Sequence, residues 1–268
     1  HLTEKSETVL VAGGGIAGLE AAIILKKRGH DPILCEATDT LGGQFLTAGE
    51  APRKKEMKAA AISMAKKAER LGVDIRMNTK VTPEMIEDIK PHTVMNAIGA
   101  ESIIPPIPGV DKAFVKDSHD VLDGKAEATG NVVVIGGGMV GMETAEYLAA
   151  KGNEVTVIEM APAVGTAMYR SVTAAVVGNI EKDGGHIMTS HMFKGVKDGA
   201  VVVNSLASGY DLDVPADVCV IAMGVHPDET IADAFEAAFD RVAVVGDTAN
   251  PGNIADATSS GYAKAFVF

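Results

Sequence analysis

The chain has 268 residues, 47% of them hydrophobic and 22% charged, and a formal net charge of −12 at pH 7. That is the composition of an ordinary globular protein with room for one large core or two modest ones, and the negative charge argues against nucleic acid or an anionic membrane as partner. No apolar run reaches the length of a membrane span, the polar N-terminus does not read as a signal peptide, and the two isolated cysteines, Cys35 and Cys219, read as buried thiols of a protein of the reducing cytoplasm.

In chain order, an apolar strand over Val9–Ala12 leads into Gly13-Gly14-Gly15-Ile16-Ala17-Gly18, a helix over Ile16–Gly29 and a strand Pro32–Glu36 that ends on an acid. A loop Ala37–Pro52 follows and carries Leu41-Gly42-Gly43-Gln44. The spacing then predicts a basic helix from Arg53 to Leu71, stopped by Gly72, whose Arg53, Lys54, Lys55, Lys58, Lys66 and Lys67 form either a solvated face or a docking surface for a further domain. Val73–Met77 alternates as a strand, Thr82-Pro83-Glu84 starts a short helix by cap and N1-proline logic, and Thr93–Ala97 is another strand. Ile104-Pro105-Pro106-Ile107-Pro108-Gly109 breaks all periodicity and marks a crossover between domains.

The opening pattern then returns. Val132–Glu159 aligns with Val9–Glu36 without a gap, with Gly136-Gly137-Gly138-Met139-Val140-Gly141 in place of the first glycine run and Glu159 in place of Glu36. Beyond it the pattern predicts a helix over Ser171–Lys182, a small antiparallel meander (Ile187–Thr189, Phe193–Lys197, Val201–Asn204) and an apolar strand Asp217–Met223. A helix Glu229–Ala238, a strand Val242–Asp247 and a helix from Ile254 to Phe268 complete the chain. The last strand and helix have no partner in the second half, so they are expected to return to the first sheet. The fold class is therefore α/β: two Rossmann-like three-layer dinucleotide-binding domains, with residues 109–240 inserted between 1–108 and 241–268.

The repeated motif has a specific physics. In G-x-G-x-x-G the first glycine permits a tight turn, the second lets the backbone approach a pyrophosphate, and the third lets helix and strand pack closely. The helix N-terminus then presents unpaired N–H groups and a positive dipole to the phosphates, and the terminal Glu accepts hydrogen bonds from a ribose hydroxyl. Two copies imply two bound dinucleotides, and two dinucleotides on one chain imply electron transfer between them. Glu159 also selects the nicotinamide. A 2′-phosphate would meet its carboxylate, and no basic residue lies between Glu159 and Arg170, so NADH is expected over NADPH.

On these residues the chain resembles the glutathione-reductase-like flavoproteins, which carry two dinucleotide-binding domains for FAD and NAD(P). Asn96-Ala97-Ile98-Gly99-Ala100 resembles the first crossover of that family, with Ile98 where Thr is usual. Ala222-Met223-Gly224-Val225-His226-Pro227 resembles the second, and Val244-Val245-Gly246-Asp247 the segment whose acid binds the FAD ribitol. The resemblance implies FAD held by Gly13, Gly15, Ile16, Ala17, Gly18, Glu36, Ala37, Gly43, Gln44, Ala97, Gly99, Gly246, Asp247 and Ile254. It implies NAD held by Gly136, Gly138, Met139, Val140, Gly141, Glu143, Glu159 and Gly224. The helix from Ile254 is expected to aim its N-terminus at the flavin. Gln44 is either a contact to the flavin ring or a loop amide capping its own backbone. Glu143 is either a contact to the nicotinamide amide or a helix-surface or inter-domain acid. His226 reads as a turn residue held by Pro227. No Ser-His-Asp, metal-ligand or paired-carboxylate arrangement stands out, so no side chain is assigned as acid, base, nucleophile or metal ligand. Direct hydride transfer needs orientation instead.

A narrower resemblance, carried by Leu41–Phe45, Ala51–Glu56 and Asp247 followed by Gly252–Ala257, is to the C-terminal half of the 2,4-dienoyl-CoA reductase, enoate reductase and trimethylamine dehydrogenase group. It implies that the chain, which starts without Met, is the reductase half of a longer polypeptide. A barrel with FMN and an iron–sulfur cluster would then be the electron acceptor. The alternatives are a non-catalytic ADP- or FAD-binding structural module and a standalone NADH oxidase or ferredoxin-type reductase. Bound flavin separates the first of these from the leading reading.

Overall fold

The computed structural model describes residues 2–268, apart from the side chains of residues 229–231. In chain order it contains β1 (Thr8–Ala12), α1 (Ile16–Arg28), β2 (Asp31–Cys35), α2 (Gln44–Ala48), α3 (Lys55–Arg70), β3 (Asp74–Arg76), α4 (Pro83–Ile89), β4 (Thr93–Asn96), β5 (Ala100–Ser102), β6 (Val115–Asp117), α5 (Ser118–Leu122) and β7 (Asn131–Ile135). The series continues with α6 (Met139–Ala149), β8 (Glu154–Ile158), α7 (Arg170–Lys182), β9 (His186–Met188), β10 (His191–Lys197), β11 (Ala200–Ser205), β12 (Asp211–Pro215), β13 (Val218–Ile221), β14 (Val225–Pro227), α8 (Glu229–Ala238), β15 (Val242–Val244), a 3-10 turn Gly246–Thr248 and α9 (Ile254–Phe266). These elements form two compact units. Unit 1 comprises residues 1–49, 55–101 and 225–268, and unit 2 comprises residues 50–54 and 102–224.

Unit 1 is built on a parallel sheet of order β15-β4-β1-β2-β3. Its central strand is apolar and buried from Val9 to Ala12 because both faces are covered, as parallel sheets require. Val9 and Val11 pack with Leu19 and Ile23 of α1 on one face. Leu10 packs on the other with Ile86 of α4 and Phe235 of α8. The expected return of the C-terminal segment is present, with β15 paired in parallel to β4 at Val242↔Val94. Thr82 caps α4 as expected, accepting the Met85 N–H at 3.4 Å ahead of Pro83.

Unit 2 repeats the plan with the parallel sheet β6-β13-β7-β8-β9. Val132 and Val134 face α6, against Met142, Ala145 and Leu148. Val133 and Ile135 face a three-stranded antiparallel meander, against Val201, Val203 and Phe193. Each unit is thus a three-layer Rossmann-like domain, and the chain of unit 2 interrupts that of unit 1.

Several boundaries differ from the sequence reading, each for a non-local reason. The meander is β10-β11-β12, not a set beginning at Ile187, because Ile187 pairs in parallel with Val157 of β8 while Asp211–Pro215 supplies the third meander strand. The basic helix starts at Lys55, since Arg53 lies in the left-handed region at φ 63° and its neighbours belong to unit 2. The expected loop Ala37–Pro52 contains α2. The units divide after Glu101 and after Gly224, where the sequence reading divided at 108/109 and 240/241. Strand β14 pairs with β5, and Phe235 of α8 is buried in the unit 1 core.

Candidate dinucleotide sites

In both units the glycine loop leaves the C-terminal end of the central strand and enters a helix, at the point where strand order reverses. Ligands of open α/β sheets bind in the crevice there. The three motif glycines divide by what demands them. A Cβ on the first would sit 2.2 Å from the Ala97 carbonyl oxygen at Gly13 and 2.3 Å from that of Ala222 at Gly136. A Cβ on the third would sit 2.0 Å from the Gly13 oxygen at Gly18 and 1.8 Å from the Gly136 oxygen at Gly141. The protein itself requires those four. Around the middle glycines, Gly15 and Gly138, a Cβ would meet nothing within 4 Å, and their φ values of −66° and −71° suit any residue. Both are the N-caps of their helices, and neither helix start has a side-chain cap. The open space therefore lies directly in front of two uncapped helix N-termini, the arrangement that receives phosphate.

The two acids are held alike. Glu36 Oε2 accepts the Gly14 N–H at 2.8 Å, and Oε1 accepts the N–H and hydroxyl of Thr38, each at 2.8 Å. Glu159 Oε2 accepts the Gly137 N–H at 2.6 Å, and Oε1 the Ala161 N–H at 2.6 Å. A carboxylate has about four lone-pair positions, so each acid fixes its glycine loop and keeps acceptor capacity for a ribose hydroxyl. The repeat extends beyond the motif. The Gly42 N–H bonds the Gly14 oxygen at 2.9 Å, and the Gly165 N–H bonds the Gly137 oxygen at 2.7 Å.

In unit 1 a cleft of about 270 Å³ opens over the ends of β1, β2 and β4. Of the sequence-assigned residues it brings together Gly13, Glu36, Ala37 and Gly99. It adds residues that the sequence does not assign to a site, among them Cys35, Ile98, Glu101 and the run Thr79–Val81 after β3. Their only sequence signal is position, at the end of β2, just past β3 and β4, and in β5. Burial raises the Cys35 thiol above its ordinary pKa, and pushes the Cys219 thiol up to about 12, so neither is poised as a thiolate. The remaining FAD candidates lie nearby in the chain architecture but do not line the cleft. Gly43 lies beside the glycine loop, where a Cβ on it would sit 3.1 Å from the Gly15 Cα. Gln44 Nε2 donates to the Ala100 oxygen at 3.0 Å. Ile16, Ala17 and Gly18 form the first turn of α1, and Ala97 follows β4. The Gly99 N–H bonds Thr248 Oγ1 at 2.7 Å, tying the crossover to the turn that holds Gly246 and Asp247. Asp247 Oδ1 accepts the Gly252 N–H at 3.1 Å.

Helix α9 differs from α1 and α6. Asn253 and Asp256 form a capping box, so the Ala255 and Asp256 N–H groups are already taken by Asn253 Oδ1 at 2.8 and 3.1 Å. The N-terminus beginning at Ile254 thus offers fewer donors to a ligand than the sequence reading supposed. Asn253-x-x-Asp256 was the available signal.

In unit 2, Met139 and Val140 form the first turn of α6, and Gly224 follows β13 beyond Ala222. Glu143 is buried on α6 and forms an ion pair with Lys54, whose side chain is 24% exposed. Glu146, also buried on α6, pairs with Arg53 and accepts from Asn179 Nδ2 at 2.6 Å. The two basic residues thus precede α3 and pair with acids of α6, Lys54 largely covered and Arg53 with its side chain 62% exposed. His226 lies in strand β14, not in a turn, with Nδ1 2.9 Å from the Pro227 oxygen.

Unit 2 also assembles Ser102, Asp117 and His119, which the sequence reading had not seen. Ser102 Oγ lies 2.9 Å and Asp117 Oδ1 3.5 Å from the same atom, His119 Nδ1. A nucleophile relay needs the serine and the acid on opposite ring nitrogens, so this group is structural. Burial pushes the Asp117 carboxyl up, but hydrogen bonds from the His119 and Ser102 side chains and the His119 N–H outweigh it. The net result is a pKa of about 2.

A family model described as pyridine nucleotide-disulphide oxidoreductase matches residues 7–249. The chain is 36% identical over 270 residues to a bilirubin reductase of Mediterraneibacter gnavus, covering 99% of this chain and 41% of that protein. It is 35% identical over 263 residues to an NADH oxidase of Thermoanaerobacter brockii, covering 96% and 40%. A solved 2-naphthoyl-CoA reductase in complex with 2-naphthoyl-CoA matches with a TM-score of 0.92 and 28% identity, over 98% of this chain and 40% of that one. The chain thus spans about two fifths of the length of these relatives.

Proposed function

The chain belongs to the pyridine nucleotide-disulphide oxidoreductase family, and on that footing we propose that unit 1 holds FAD and unit 2 holds NADH. As a member of that family it is a flavoprotein oxidoreductase module served by a nicotinamide nucleotide. The observation that carries the finer assignment is the pair of middle glycines. The fold does not need Gly15 or Gly138, whereas a phosphate resting on an uncapped helix N-terminus does.

When bound, FAD takes a hydride from NADH and yields the electrons onward. The chain's own part is to bind and orient. The α1 N-terminus receives the FAD pyrophosphate and Glu36 a ribose, with Ala37 and Gly99 lining the cleft. Gly43, Gln44, Gly246, Asp247 and Ile254 are assigned to the distal half of the cofactor, with α9 contributing less than an open helix end. In unit 2 the α6 N-terminus and Glu159 do the same for NADH, beside Glu143 and Gly224. The carboxylate of Glu159, which disfavours a 2′-phosphate, supports NADH over NADPH.

Electrons then leave to a partner region carrying FMN and an iron–sulfur cluster in the parent polypeptide. Support comes from the likeness of residues 41–45, 51–56, Asp247 and 252–257 to that group of enzymes, and from relatives about two and a half times as long. Cys35 and Cys219 are buried in different units, so this chain offers no cysteine pair as acceptor. Among the described residues no helix is long and apolar enough to cross a membrane. With a net charge of −12 and two unpaired thiols, we place the reaction in the cytoplasm, without nucleic acid or membrane partners. The test is anaerobic reduction of chain-bound FAD by NADH. Bleaching by NADH supports the reading, and an inert flavin or bound ADP in its place contradicts it.

A further inference from the structure

The segment 50–54 lies between α2 and α3 in the chain yet belongs to unit 2. It supplies cations to both buried acids of α6, Lys54 to Glu143 and Arg53 to Glu146. We propose that Arg53 is a positioning residue for the dinucleotide-binding helix: through Glu146 it fixes α6 and so sets the affinity for NADH, without touching the nucleotide. This rests on the reading of unit 2 as the NADH domain.

The apolar residues Met142, Ala145, Leu148 and Ala149 seat α6 in the core of unit 2. Apolar packing is non-directional, so it leaves the rotation and axial setting of a helix less defined than charged hydrogen bonds do. Glu146 supplies the directional restraint. Its side chain is 5% exposed, and its Oε1 accepts both from Arg53, whose own side chain is 62% exposed, and from Asn179 of α7. It lies on the same rigid rod as Gly138, eight residues or about 12 Å along the axis. Any turn or slide of α6 at Glu146 is delivered to the N–H groups at its start. Charge acts in the same direction. A buried carboxylate that loses its cation leaves an uncompensated negative charge on the helix that must receive a dianionic pyrophosphate. Arg53 itself holds φ 63°, a conformation non-glycine residues rarely adopt, which its partners in unit 2 maintain.

The experiment uses the full chain loaded with FAD, in three forms: unsubstituted, Arg53→Met, and Arg53→Met with Glu146→Gln. Calorimetric titration with ADP-ribose and steady-state kinetics with NADH are measured on each. The inference predicts that Arg53→Met raises the ADP-ribose Kd and the NADH KM about tenfold. Flavin content and kcat at saturating NADH stay unchanged. Adding Glu146→Gln removes the stranded charge, keeps an acceptor for Asn179, and brings both constants most of the way back. An Arg53→Met variant that binds like the unsubstituted chain overturns the inference, as does a loss that Glu146→Gln fails to relieve. An unsubstituted chain that binds neither NADH nor ADP-ribose overturns the reading of unit 2 itself, which the other two outcomes leave standing.

Discussion

Gly138→Ala separates what the fold needs from what the ligand needs. The added methyl meets no atom within 4 Å and the backbone φ is −71°, so no clash or strain follows. Removing glycine from the unfolded chain stabilises by about 0.4–1 kcal/mol, and alanine is a poorer N-cap than glycine by a similar amount. The two nearly cancel, and the urea midpoint should move by less than about 1 kcal/mol in free energy. Gly141→Ala is the control. Its methyl would sit 1.8 Å from the Gly136 carbonyl oxygen, so the helix must shift, at a cost at or above the roughly 3 kcal/mol upper range of overpacking. Binding should reverse this order of effects. At position 138 the methyl occupies the space assigned to the pyrophosphate, and losing one charged hydrogen bond of about 1.5–3 kcal/mol weakens NADH roughly 10- to 100-fold. Urea unfolding and NADH titration of FAD-loaded protein measure both effects. A stably folded Gly138→Ala protein that binds NADH normally would refute the pyrophosphate assignment.

Glu159→Ala should weaken NADH by a similar roughly 10- to 100-fold and narrow the preference over NADPH, since a charged acceptor for the ribose is lost. The Gly137 and Ala161 N–H groups lose their acceptor as well, so some stability is lost with it; competing NADH and NADPH titrations decide the point, and an unsubstituted chain that prefers NADPH contradicts the role. Asp117, with its pKa depressed from 3.8 to about 2, contributes stability that is present above the unfolded value and lost as pH falls through about 2. Asp117→Asn keeps an N-cap for α5 but not the titration, so its unfolding free energy should fall less steeply with acid than that of the unsubstituted chain; parallel curves would contradict this account.

What the sequence made legible was local and strongly patterned. The two strand–glycine–helix–strand–acid units follow from fully apolar strands and glycines with a steric duty, and the return of β15 and α9 from having no other partner. The unread parts depend on contacts distant in sequence. Lys, Glu and Ala around residues 53–60 all favour helix, so nothing local shows that Arg53 and Lys54 stay outside it to meet acids some 90 positions later. His186–Met188 is too short to show a period, and only its pairing with β8 assigns it to the parallel sheet. Ser102, Asp117 and His119 meet through side-chain contacts that no local pattern encodes. Within the motif, Gly14 and Gly137 are glycine for a reason the pattern does not encode. A Cβ on either would press first into an apolar side chain, 2.5 Å from Leu41 Cδ2 or 2.6 Å from Val164 Cγ1, and then into the acid that binds its loop, 2.9 Å from Glu36 Oε2 or 3.0 Å from Glu159 Cβ.

The central claim is that one chain holds a flavin dinucleotide in unit 1 and oxidises a nicotinamide dinucleotide in unit 2. The most direct test is an anaerobic titration of FAD-reconstituted chain, followed by flavin absorbance. The account predicts bleaching that completes near one equivalent of NADH per flavin, because both carry two electrons, and a far slower response to NADPH. A chain that retains only ADP, or a bound flavin that NADH leaves oxidised, would contradict it.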